Sequence, residues 1–261
     1  MIDLHCHILP DLDDGAEDWA ESIEMARIAA EDGISGVVCT PHQSPDFPGN
    51  LRNIVLASVE ELRTKLSEAE IRLELYPCCE LAIDRNLSEK IESGESLTIN
   101  DNRKTALVEM PADVIPPDLS GFFRTLQAKG INIVLAHPER NYLLLKDPTE
   151  LLKWIQAGIM VQITGGSLNG YYGEEILDFS LELLRHRMVH FVASDSHSRD
   201  MRRPVLSNAR AITEEIIGPG EAHKIFHEYP ISVLQGQVPD TPPPIPMEKK
   251  TPLIRRFFPF W

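Results

Sequence analysis

Long hydrophobic runs are absent from this 261-residue chain, and no stretch approaches the ~20 apolar residues needed to cross a bilayer. Stable membrane insertion is therefore not expected. The opening MIDLHCHILP has no basic stretch leading into a long apolar one, so no signal peptide is expected either. Cysteine is scarce. Cys6, Cys39, Cys78 and Cys79 are too few for a disulfide framework and read as reduced thiols of a cytoplasmic protein. Positive charge is also scarce: 25 Lys and Arg face 40 Asp and Glu, giving a net charge of −15. That balance argues against a nucleic-acid or anionic-membrane binder, which needs a basic face. What remains is an ordinary globular composition, 43 % hydrophobic and 25 % charged, which excludes a disordered chain. The length suits one α/β barrel or one doubly wound sheet rather than two domains with linkers.

Short apolar runs alternate with amphipathic stretches, the pattern of repeated βα units. The β-like runs are Met1–His5, Ser35–Cys39, Arg72–Cys79, Thr105–Met110, Ile131–Ala136, Met160–Thr164 and Val189–Ala193. Helical spacing covers Trp19–Asp32, Leu51–Ala69, the stretch from Pro117 to Gly130, Pro148 to Gly158, Glu174–His186, Pro204–Ile217 and Glu221–Glu228. Seven such units predict an α/β barrel in one domain, residues 1–235. From Gly236 the composition shifts. The segment Val238-Pro239-Asp240-Thr241-Pro242-Pro243-Pro244 suits neither helix nor central strand, so 236–261 is expected to be a proline-rich extended tail, ending in the aromatic Phe257-Phe258-Pro259-Phe260-Trp261.

In a βα barrel, functional groups gather at the C-terminal ends of the strands. Here nearly every run ends in residues that bind metals: Asp3-Leu4-His5-Cys6-His7, Thr40-Pro41-His42, Glu80, Glu109, His137-Pro138-Glu139-Arg140 and Ser194-Asp195-Ser196-His197. An acidic loop with Asp11, Asp13 and Asp14 follows the first run. Singly, each is unremarkable: a strand-end histidine is usually a structural hydrogen-bonding group, and Glu80 or Glu109 alone would be ion-paired or solvated. His5 and His7 are different, because alternate residues of a strand point the same way and can grip one ion. Five of the nine histidines fall on the same face, whereas His186, His190, His223 and His227 read as structural. Imidazole with carboxylate and no thiolate suits Zn²⁺, Mn²⁺ or Fe²⁺. The number of candidates exceeds what one ion takes, so two or three are expected. Neighbouring metal ions sharing a hydroxide suit phosphate-ester hydrolysis, with Arg140 and Arg202 or Arg203 holding the free phosphate oxygens.

Taken together, these strand-end motifs resemble the polymerase and histidinol phosphatase (PHP) superfamily. More closely, Ile2-Asp3-Leu4-His5-Cys6-His7-Ile8-Leu9-Pro10 running into Asp13-Asp14-Gly15 resembles its bacterial protein-tyrosine phosphatases of capsule and exopolysaccharide biosynthesis. The resemblance spans about residues 1–230. It implies a distorted (β/α)7 TIM-like barrel with three metal ions, often manganese, at the strand ends. It implies a substrate of phosphotyrosine on a partner tyrosine kinase that controls polysaccharide export, attacked by a metal-bridged hydroxide. Carried over residue by residue, the ligands would be His5, His7, Asp14, His42, Glu80, Glu109, His137, Asp195 and His197, with bridging falling to Glu80 and Glu109. Asp3 would orient a ligating histidine. Arg140 and Arg202 would act on the phosphate in catalysis, with Arg203 as a further binding group.

Three alternatives stand beside this reading. A small-molecule PHP enzyme such as histidinol-phosphate phosphatase would share the metal site. A non-catalytic metal-binding scaffold would keep the fold and use the tail. A nuclease is disfavoured by the charge. Cys79 and Arg85 have the bare spacing of a cysteine-dependent tyrosine phosphatase, but the intervening Glu80-Leu81-Ala82-Ile83-Asp84 has no glycine and two carboxylates that repel a phosphate dianion. Gly165-Gly166-Ser167 reads as a loop, with a weaker reading as a phosphate-binding turn.

Overall fold

The apolar runs fold into parallel strands joined by helices, in a computed structural model that describes residues 1–247; the Arg255–Trp261 end of the tail lies outside the described residues. The strands are β1 (Ile2–Cys6), β2 (Gly36–Cys39), β3 (His42–Gln43), β4 (Glu74–Pro77), β5 (Glu80–Ala82), β6 (Thr105–Glu109), β7 (Asn132–Ala136), β8 (Met160–Thr164) and β9 (Phe191–Ala193). All ladder pairings among them are parallel. They form two sheets, β1-β2-β4 and β3-β5-β6-β7-β8-β9, not one continuous ladder. β1, β2 and β8 are buried along their whole length, as expected of parallel strands covered on both faces, although β1 carries Asp3 and His5 and β8 carries Gln162 and Thr164.

Two short strands, β3 and β5, lie just beyond the second and third expected runs, which makes nine strands among the described residues. Pro41 has no N–H to give the ladder between β2 and β3. Between β4 and β5, Cys79 N turns away to Leu97 O, whereas Cys78 N still reaches Cys39 O and Glu80 N reaches Pro41 O. The two sheets are also linked at their other margin. Asp195 N donates to His5 O, His7 N donates to Ser196 O, and Cys6 bridges Ser196 in parallel sense. Gly36 is required where β2 crosses between β1 and β4: a Cβ there would stand 2.9 Å from the Tyr76 ring and 3.0 Å from Ile2.

Most expected helices are present with trimmed ends. The first begins at Trp19, where the Asp18 side chain accepts the Glu21 N–H. The helix placed from Pro204 starts at Ser207. Short helices at Leu87–Ser93, Tyr142–Lys146 and Tyr229–Leu234 gave no readable period at that length. Gly165-Gly166-Ser167 is the start of a helical turn, Gly165–Leu168, capped by the Thr164 side chain accepting Ser167 N–H. After Leu234 the described chain carries no regular element, and Ile245 N donates to His186 O. Among the described residues, no helix is long and apolar enough to cross a membrane.

Asp3 is a clasp between β1 and the end of β9. It is fully buried, and its carboxylate accepts Ser194 N at 2.8 Å, the Ser194 hydroxyl, and His5 N at 3.3 Å. Burial raises its pKa to about 6, against the pull of the Ser194 bonds. It touches backbone and hydroxyl rather than an imidazole, which corrects the expectation that it orients a ligating histidine. Truncation strands buried donors at about 1–3 kcal/mol each. Asp3→Ala is therefore expected to lose about 2–4 kcal/mol in urea unfolding of the metal-free protein; an unchanged midpoint would show that the clasp contributes nothing net.

Candidate metal centre and phosphate site

Each strand delivers its last residues to the same end of the sheets, and the nine residues expected to ligate metals form one connected cluster there. His5 and His7 come from the end of β1, His42 from β3, Glu80 from β5 and Glu109 from β6. His137 follows β7, and Asp195 and His197 follow β9. Asp14 comes from the loop after β1. His5 Nε2 lies 3.2 Å from Glu80 Oε2 and 3.4 Å from Asp195 Oδ1. His42 Nδ1 lies 3.0 Å from Glu80 Oε2 and 3.6 Å from Glu109 Oε2. His137 Nε2 is 2.8 Å from Glu80 Oε1, and Asp14 Oδ1 sits between His42 and His197 at 3.6 and 3.5 Å. Among the described residues, three sets have ligand atoms close enough to hold an ion: His5, His7 and Glu80; His7, Asp14, His42 and His197; and His42, Glu80 and Glu109. Glu80 belongs to two of them.

The donor atoms fit cations better than they fit each other. Gln162 Nε2 donates to Ile163 O, so its Oε1 faces His5 Nδ1 at 2.9 Å and holds the proton there. Asp13 Oδ2 does the same for His7 Nδ1 at 2.6 Å. In the neutral tautomers that result, two lone pairs meet head-on, with His5 Nε2 and His7 Nε2 only 3.0 Å apart. Glu80 Oε2 is buried with no hydrogen-bond donor. A shared cation relieves both conflicts, and the nitrogen–oxygen set suits Mn²⁺, Fe²⁺ or Zn²⁺. Without a cation the cluster relies on protons. Burial opposes charge on His7, but the hydrogen bond to Asp13 and the nearby Glu80 carboxylate outweigh it and push the imidazole up to about 10. Burial and then repulsion by Glu80 push Glu109 up to about 7. Burial would also raise Glu80, but His5 and His137 hold it well below the carboxylate range. His137 falls to about 4, through burial and the neighbouring Arg140.

Asp195 joins this cluster to the arginines. Its Oδ1 faces His5 and His7 at 3.4 and 3.5 Å, while Oδ2 accepts from Nη2 of both Arg140 and Arg202. Burial opposes its ionisation, yet His5 and Arg140 hold its pKa far below normal. Both Asp195 and His137 adopt left-handed backbone, φ 51° and 32°, a strained choice for non-glycine residues that is tolerated where a side chain must be aimed. The Nε groups of Arg140 and Arg202 are buried and unpartnered. Arg203 is exposed and lines a cavity with Arg202 instead of joining the Asp195 pair.

Several supporting residues escaped the sequence reading. Gln162 left a trace as a polar side chain in the middle of the apolar run of β8. Asp13 was visible only as part of an acidic loop, but it also accepts His42 N at 2.9 Å. Gly15 allows that loop to close, because a Cβ there would stand 2.2 Å from His7 O. Tyr172 and Asn50, which ties His42 O to Leu12 O, carried no local signal.

Ligands must shed protons to bind metal. Mn²⁺ titration is expected to release protons near neutral pH, from His7 above all, and Mn²⁺ affinity is expected to rise from pH 6 to pH 8. Calorimetry in buffers of different ionisation enthalpy reads both; proton-neutral binding would contradict the charged His7. Asp13→Ala frees the His7 ring and is expected to weaken Mn²⁺ binding about 10–100-fold.

Comparison with known proteins gives the same picture. The family model for capsular polysaccharide synthesis, CpsB/CapC, matches residues 1–235. The chain is 36 % identical over 250 residues to the tyrosine-protein phosphatase YwqE of Bacillus subtilis (strain 168), covering 96 % of this chain and 98 % of that protein. It is 34 % identical over 198 residues to the putative tyrosine-protein phosphatase CapC of Staphylococcus aureus, covering 76 % and 77 %. A crystal structure from work on YwqE of Bacillus subtilis and CpsB of Streptococcus pneumoniae, described as unique metal-dependent tyrosine phosphatases, matches with a TM-score of 0.91 at 36 % identity over 95 % of this chain and 100 % of that one. The resemblance carried by the N-terminal His-x-His motif and the later strand ends is borne out: this chain belongs to the CpsB/CapC family of capsular polysaccharide synthesis.

Proposed function

We propose that the protein is a metal-dependent protein-tyrosine phosphatase, hydrolysing phosphotyrosine on a partner tyrosine kinase of capsular or exopolysaccharide production. The observation that carries this reading is Asp195, which faces a polyhistidine–carboxylate cluster with one oxygen and holds two arginines with the other. A phosphate monoester fits between such groups. We read the ligand set as His5, His7, Asp14, His42, Glu80, Glu109, His137, Asp195 and His197, with two or three divalent ions, Mn²⁺ foremost. We also read residues 1–235 as the phosphatase domain, built as a distorted seven-stranded βα barrel. The backbone bonds that join β1 to the end of β9, and those that run past the breaks at Pro41 and Cys79, support treating the two sheets as one barrel.

When bound, the ions supply a hydroxide near neutral pH and neutralise charge on the phosphoryl oxygens. The protein's own groups do the rest. Gln162 and Asp13 fix the His5 and His7 rings so that Nε2 points into the cluster. Arg140 and Arg202, anchored on Asp195, offer their remaining N–H groups to the phosphoryl oxygens and stabilise the charge that grows there. The leaving tyrosyl oxygen, with a pKa near 10, needs less protonation than an alkoxide. A thiol route has no support. Cys79 is fully buried and its pKa is pushed far up, through burial.

Phosphate release from a tyrosine-phosphorylated peptide is expected to be abolished by chelator and restored by Mn²⁺. His42→Ala and Asp195→Ala are each expected to lower kcat/KM about 10³-fold or more, while Cys79→Ser stays near wild type. Turnover of histidinol phosphate alone would move the protein to metabolism. Metal binding with turnover of neither substrate would favour a scaffold.

A further inference from the structure

Beside the arginine pair lies a cavity of about 360 Å³, walled by the loop after β8 and the loop after β9. Its lining includes Arg202, which is bonded to Asp195, together with Ser194, Tyr171, Tyr172 and Met201. The two tyrosine rings meet edge to face, with centroids 5.0 Å apart at 85°. The Arg140 guanidinium lies 5.0 Å from the Tyr172 ring centroid, and its Nη1 donates to the Tyr172 hydroxyl at 3.4 Å. Tyr171 is 51 % exposed and Met201 73 %, so large apolar groups stand in water at this cavity's rim. That arrangement suits an apolar partner that arrives attached to something the arginines hold.

We propose that this cavity is the subsite for the aromatic ring of phosphotyrosine, so that the enzyme selects aryl over alkyl phosphates by ring contact. The proposal rests on the phosphatase reading. A phosphoryl group on Arg140 and Arg202 leaves its phenyl ring one ester oxygen away, and the cavity shares Arg202 with that pair. Tyr171 and Tyr172 offer edge-to-face contacts and Met201 offers sulfur–aromatic contact. The volume is roughly ten times the ~30 Å³ share of one water, enough for a ring with part of its peptide. Phosphoserine has no ring to fill it. Arg203, exposed on the same wall, adds positive charge at the mouth.

The test uses the full chain loaded with Mn²⁺ and a peptide carrying phosphonomethyl-phenylalanine, which binds without being hydrolysed; inorganic phosphate is titrated in parallel. Calorimetry is expected to show the peptide binding at least about 10-fold tighter than phosphate. Tyr171→Ala combined with Met201→Ala should weaken peptide binding about 5–30-fold and leave phosphate binding unchanged. Equal loss for both ligands, no loss for either, or a wild type that does not prefer the peptide would each overturn the subsite. Turnover of phosphotyrosine and phosphoserine peptides is scored separately. An aryl preference in binding with no phosphate release would sink the phosphatase reading while the ring pocket stands.

Discussion

Two buried carboxylates, Glu80 and Asp195, set the terms for the rest of the site. A charge taken out of water costs several kcal/mol unless it is compensated, and neither of these groups has meaningful contact with solvent. Compensation arrives from every side. Glu80 is contacted by His5, His7, His42 and His137, and Asp195 by His5, His7, His197 and two arginines. No single strand could bring so many partners. Parallel strands that all end on one face can, and the loops after β1, β7 and β9 finish the shell. The fold thus provides an apolar floor that carries an electrostatic cluster at one end.

That division explains what could be read from the sequence. The apolar floor shows as runs of Leu, Val and Ile, and polar residues at the ends of those runs stand out; the structure brings the nine residues expected there into one cluster. Precise strand limits were less legible, because the breaks at Pro41 and Cys79 depend on where individual N–H groups go. Supporting residues were least legible. Gln162 and Asp13 act on rings contributed by β1, and Tyr172 acts on an arginine 32 positions away. Such pairings are tertiary and leave no spacing to detect. Asp3 shows the opposite failure. The resemblance implied that Asp3 orients a ligating histidine ring, whereas tertiary packing turns it to Ser194 across the seam.

The same reasoning separates the cysteines from the histidines, although both fall at strand ends. Cys6, Cys39, Cys78 and Cys79 point into the apolar floor, where burial pushes their thiols up; Cys39 reaches about 12. Burial makes a thiol inert but leaves a neutral imidazole with its lone pair intact. The alternation of a strand then decides function: Cys6 lies between His5 and His7, and its side chain packs in the core while theirs meet Glu80.

Asp195 also makes the two halves of the site interdependent. Its two oxygens face opposite ways, one toward the histidines and one toward the arginines, and its left-handed backbone leaves little freedom to adjust. The carboxylate that faces His5 and His7 is the same one that holds Arg140 and Arg202, so a displacement on either side of Asp195 is passed to the other through one side chain.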